Sequence, residues 1–120
     1  MRLSRALAVM SILALGFVSG EKVHAKPPKP EDVAGAIAFL LRVHDGVCPG
    51  MTFDPTAMSR MIDPRGMTLE AVRRQYRKDF DESYAEAGAR IAAEGIPAYC
   101  DVVRAFFGGA PDEAPGLVIH

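Results

Sequence analysis

Two cysteines, Cys48 and Cys100, constrain this chain more than any other pair of residues. They are its only two, so they admit a single intramolecular pairing. Joined, they close a loop of roughly fifty residues and, by restricting the unfolded chain, contribute about 4 kcal/mol. Whether they join depends on the compartment, and the N-terminal residues address that. Arg2 and Arg5 form a positive region, an apolar run follows from Ala6 to Val18, and Val23-His24-Ala25 carries the small-residue pattern of a cleavage site. The pattern predicts a cleaved signal peptide over residues 1–25, with a cut after Gly20 as the alternative, and hence a periplasmic or secreted protein. In an oxidising compartment a disulfide is the default for a small domain. A redox-active or metal-binding pair is the competing reading, but redox motifs usually take C-x-x-C spacing. The apolar run falls short of the about 20 residues that span a bilayer, so no stable membrane insertion is expected after signal cleavage.

The remaining residues, 26–120, make one domain. A chain of that size has a modest core and often depends on a covalent staple. Removing residues 1–25 takes away Arg2, Arg5, Lys22 and Glu21, which leaves a small acidic excess. That balance argues against a general nucleic-acid binder, which would show a strong basic excess.

Proline and glycine divide the rest. Residues 26–30, KPPKP, read as a short extended linker. A first helix should start at Pro30 or Glu31, with Glu31 and Asp32 where negative charge suits the helix dipole. Val33, Ile37, Leu40 or Leu41 and His44 follow at helical spacing, and Gly46 and Pro49 stop it. Asp54-Pro55 is a carboxylate cap followed by proline at the first helical position, and it opens a short helix that Asp63-Pro64 ends. Thr68 caps the next, with Met67 and Val72 placed as a hydrophobic staple. Leu69, Val72, Tyr76, Phe80, Tyr84, Ala87 and Ile91 recur every three or four residues, which predicts one long, one-faced helix ending at Gly95. Tyr76, Phe80 and Tyr84 should be its most buried residues. Pro97 starts a last helix with Ile96, Cys100, Val103 and Phe107 on one face, ended by Gly108-Gly109.

No segment shows strand alternation bounded by turn signals, and no internal repeat is present. The expected fold is all-α: a small helical bundle of three main helices and one short one over residues 31–109, with one disulfide. Residues 110–120 should form a flexible tail. The disulfide would tie the end of the first helix to the last, with the long helix packed between them.

Candidate chemistry is sparse. The histidines outside the signal are His44 and His120, and Ser59 and Ser83 sit in no nucleophile motif. His44 continues an apolar stripe, which suits a half-buried structural histidine better than a catalytic base. No glycine-rich phosphate loop or zinc signature occurs. An enzyme is not expected, and no cofactor is implied. Two surfaces remain. Met51, Met58, Met61 and Met67 fall in one stretch. Packing is the first reading for them, a hydrophobic binding surface the second, and monovalent copper bound by thioethers the third. Arg73, Arg74, Arg77 and Lys78 precede Asp79, Asp81, Glu82 and Glu86 on the long helix. They read either as a solvated face with the i,i+4 pairs Arg77–Asp81, Lys78–Glu82 and Glu86–Arg90, or as a basic knob for an acidic partner. Phe106, adjacent to Phe107, is a flank contact or an interface residue.

In outline, with a cleaved signal, a helical fold and one long-range disulfide, the chain resembles the small acid-stress chaperones of the bacterial periplasm. Exported immunity proteins that bind a toxin enzyme share the outline. The resemblance is one of architecture and assigns no residue a role. The expectation is a protein that acts by binding another protein. It would be a stress or chaperone-like protein first, a specific inhibitor or immunity protein as the alternative, and a copper binder last.

Overall fold

The computed structural model describes residues 28–109 and 111–120; the expected signal peptide lies outside them. Helix α1, Pro30–His44, begins with proline in its first turn and carries Glu31 and Asp32 at its positive end, with Arg42 and His44 at its negative end. It buries Val33, Ala34, Gly35, Ile37, Ala38, Leu40, Leu41 and Val43. That set covers most of the helix circumference, and a helix apolar nearly all round belongs inside. After Gly46 the chain turns through Cys48 into strand β1, Met51–Phe53. Helix α2, Pro55–Ser59, is capped by Asp54, whose Oδ1 accepts from Thr56 N at 3.0 Å. Ser59 is fully buried. Its hydroxyl donates to Thr56 O (2.6 Å) and accepts from Met67 N (2.7 Å), which fastens the loop after α2 onto the helix.

Helix α3 spans Leu69–Gln75, with Thr68 Oγ1 accepting from Ala71 N at 3.1 Å. Helix α4 spans Arg77–Glu94 and α5 spans Ile96–Phe107. A 3-10 turn at Pro111–Glu113 leads into strand β2, Leu117–Ile119. The core gathers around α1, which packs most extensively on α4 and also touches α2 and β1. Gly35 permits the α1–α4 approach, because a Cβ there would lie 2.8 Å from Ser83 Oγ. Cys48 and Cys100 form the expected disulfide, with Cα atoms 5.6 Å apart, both buried.

Four features differ from the sequence reading. The fold is mostly helical rather than strictly all-α, because β1 and β2 form an antiparallel ladder with Met51 opposite Ile119, Thr52 opposite Val118 and Phe53 opposite Leu117. Three residues per strand leave too little alternation to read, and the pairing joins distant parts of the chain. Residues 111–120, expected as a loose tail, carry β2, bury Ala114 and bond back through Asp54 N to Gly116 O and His120 N to Gly50 O.

The single long helix is two. Tyr76 leaves helical geometry (φ −123°, ψ 46°), closing α3 through its N–H to Val72 O and opening α4 through its carbonyl to Phe80 N. Neither proline nor glycine causes the break. The halves have different supports, α3 on α2 and α4 on α1. Tyr76 and Tyr84 are only half-buried. The central element is therefore α1, not the long helix.

Finally, the inner face of α5 is Tyr99, Cys100 and Val103, and Ile96 is exposed. Tyr99 packs on Phe39 with ring centroids 5.3 Å apart, and its hydroxyl donates to Phe39 O. Burial pushes the Tyr99 phenol up to about 12, since the phenolate would lose its hydration.

Candidate functional site

The methionines and arginines part company in the fold. Met51 and Met58 are buried, and Met61 and Met67 are half-buried against the core. Met61 lies in the turn after α2, its N–H bonded to Met58 O at 3.0 Å. The thioethers thus serve mainly as adaptable core filler.

The arginines stay outside and converge. Glu70, Arg73, Arg74 and Arg77 line a groove of about 380 Å³ where α3 meets α4. Glu70, Arg73 and Arg74 share one face of α3 at helical spacing, and Arg77 joins them from the start of α4. Lys78 is exposed beside the groove without lining it. Arg73 crosses the break to Asp81, Nε to Oδ1 at 3.0 Å, with its guanidinium 6.0 Å from the Phe80 ring centre. That ion pair takes the place of the expected Arg77–Asp81 pair. Among the described residues Arg74, Arg77 and Lys78 make no ion pair, so the expected Lys78–Glu82 bridge is also missing. Glu86–Arg90 does form, at 3.9 Å, and Arg90 also approaches Glu94 at 3.7 Å.

Next to this groove lies a larger cleft of about 510 Å³, walled by Leu41, His44, Asp45, Leu69, Glu70, Arg73, Phe80 and Tyr84. Its volume falls in the range of ligand-binding clefts, about 300–1,000 Å³. Leu41, Leu69, Phe80 and Tyr84 supply apolar surface. The Arg42 guanidinium stands 4.4 Å from the Tyr84 ring centre, a cation–π contact that steadies the ring. His44 is exposed rather than half-buried. Its Nδ1 is 3.1 Å from Phe53 O; a carbonyl only accepts, so Nδ1 carries the proton, and in the neutral ring Nε2 is left as an acceptor. Glu70 and Arg73 line both spaces, so groove and cleft adjoin and share a wall.

The arginine cluster is legible in the sequence as a basic run. The cleft is not, because it forms between α1 and the α3–α4 pair. Its only sequence signal is that Leu69 and Tyr84 extend the apolar stripe beyond what the core covers.

Among the described residues, no group of three or more His, Cys, Asp and Glu is arranged to hold a metal ion, and no helix is long and apolar enough to cross a membrane. No family model matches the chain, and neither does any curated protein or solved structure.

Proposed function

We propose that this is an exported protein that works by binding another exported protein rather than by catalysis. We place that binding at the bend between α3 and α4. The signal-like residues 1–25 and the buried disulfide support export. The observation that carries the binding reading is that the arginine groove and the apolar cleft adjoin, with Glu70 and Arg73 as their shared wall. An apolar pocket beside guanidinium groups without an ion-pair partner among the described residues combines the two elements that dominate protein recognition, a desolvated anchor and a charged rim. A preformed surface of this kind favours a specific partner, as in the inhibitor or immunity class.

A second reading, a stress chaperone, has its own support. Phe106 is 72% exposed, and Ile96, Val118 and Ile119 are also exposed, apolar surface of a kind suited to unfolded clients.

A photoreactive residue at position 78, exposed beside the groove without lining it, tests the first reading in the exporting cell, with one at exposed Ala92 as control. A discrete protein adduct from position 78 alone is expected; no adduct, or equal adducts from both positions, overturns it. Suppression of client aggregation at pH 3 but not pH 7, with increased binding of an apolar dye, would replace it with the chaperone reading.

A further inference from the structure

We infer that the occupant of this surface is an acidic peptide segment with one apolar anchor side chain. In this arrangement its carboxylates engage Arg74 and Arg77 while the anchor enters the cleft walled by Leu41, Leu69, Phe80 and Tyr84. The inference rests on the binding reading above and adds the chemistry of the partner.

Three observations converge on it. The first is charge. Arg73 is already held by Asp81 at 3.0 Å, so it forms a fixed wall between groove and cleft. Arg74 and Arg77 line the groove without an ion-pair partner among the described residues. Guanidinium groups in that state match carboxylates in bidentate geometry.

The second is the mixed rim. His44, Asp45 and Glu70 border the cleft. A peptide backbone, with donors and acceptors along its length, can satisfy these groups. An acyl chain cannot, and Asp45 and Glu70 would repel an anionic lipid surface.

The third is Glu70 itself. It is the one carboxylate lining the groove and it also lines the cleft. It therefore sets where a ligand carboxylate is tolerated: over Arg74 and Arg77 and away from the shared wall. Such a repulsive group confers register at a cost in affinity.

The experiment is fluorescence anisotropy with the intact oxidised protein and labelled twelve-residue peptides. One peptide carries three Glu and a single Leu; its companions replace the Leu with Ser or the three Glu with Lys. The acidic Leu peptide should bind, weakening as salt rises, and each companion should bind about tenfold more weakly or not at all. The double variant Arg74→Glu, Arg77→Glu should lose about tenfold in affinity with an unchanged melting temperature. Glu70→Gln should tighten binding severalfold, an effect that damage to the fold would not produce. Peptide binding that ignores the arginine substitutions or the Leu-to-Ser change overturns the inference, as does equal or stronger binding to phosphatidylglycerol vesicles. An adduct from position 78 without peptide binding defeats this inference alone; loss of both defeats the binding reading with it.

Discussion

Helix α1 and helix α4 lie against each other, yet they are made differently. Eight of the fifteen residues of α1 are buried, whereas the eighteen residues of α4 bury only Phe80 and Ala87. The shorter helix is apolar almost all round and takes the centre. The longer helix has the more regular stripe, but charged residues surround it and it packs at the side. Regular periodicity marks a helix with one buried face; centrality requires several. The contrast also explains where the candidate site lies. A helix held by few core residues has exposed surface to spare, and its start adds Arg77 to Arg73 and Arg74 at the end of α3.

The largest effect that could break this comparison is at Phe80. If α4 is held to α1 chiefly by that ring, Phe80→Ala should lower stability by about 3–5 kcal/mol, measured by urea unfolding. Phe80 should be the one position on α4 to match Leu40→Ala in α1, for which about 2–5 kcal/mol is expected. A loss below 1 kcal/mol at Phe80 would show that α4 is anchored elsewhere.

The disulfide ranks next. It fastens the loop after α1 to α5 without touching α4, so Cys100→Ser should cost about 2–5 kcal/mol while leaving the Arg73–Asp81 pair in place. Mass spectrometry of the non-reduced protein should find one bridged peptide pair and no free thiol.

Tyr99 gives a smaller, pH-dependent effect on the α1 side. Its phenol is raised to about 12 from 10.0 by burial, so the folded state holds its proton more tightly than the unfolded state. The Tyr99 contribution is fully present below pH 10 and is lost as pH rises through 12, to a total of roughly 2–3 kcal/mol. Urea unfolding between pH 8 and pH 12 should show that decline. In Tyr99→Phe the decline should flatten, with a constant loss of about 0.5–1.5 kcal/mol from the lost hydrogen bond to the Phe39 carbonyl. An unchanged slope in the variant would rule Tyr99 out as its source.

At the small end, Arg74→Ala should lie within about 0.5 kcal/mol of the parent. A larger change would mean that the arginine groove supports the fold.

Local chemistry was legible where one residue decides the outcome. Pro30, Asp54-Pro55, Thr68, Gly95 and Pro97 mark helix starts and stops by stereochemistry, and two cysteines in one small chain allow a single bond. What escaped is decided by distant residues. The break at Tyr76 depends on α3 and α4 resting on different partners. The inner face of α5 keeps Cys100 and Val103 but takes Tyr99 in place of Ile96, because the Phe39 carbonyl and ring await Tyr99 on α1. Strands of three residues acquire meaning only when β1 and β2 meet. At the site the basic run could be read off, but the adjoining cleft needed α1 to be placed beside it.

The loop between α1 and α2 is fastened by Cys100 on one side and by β2 on the other, and both fasteners come later in the chain. During synthesis or transport from the N-terminal end, this loop must wait for its partners over a separation on the order of fifty to seventy residues, a late and slow closure. In that interval Cys48 is an open thiol and β1 an unpaired strand. With no third cysteine in the chain, the competing disulfide is one to another molecule, so the yield of correctly closed protein should fall as the concentration of unfinished chains rises.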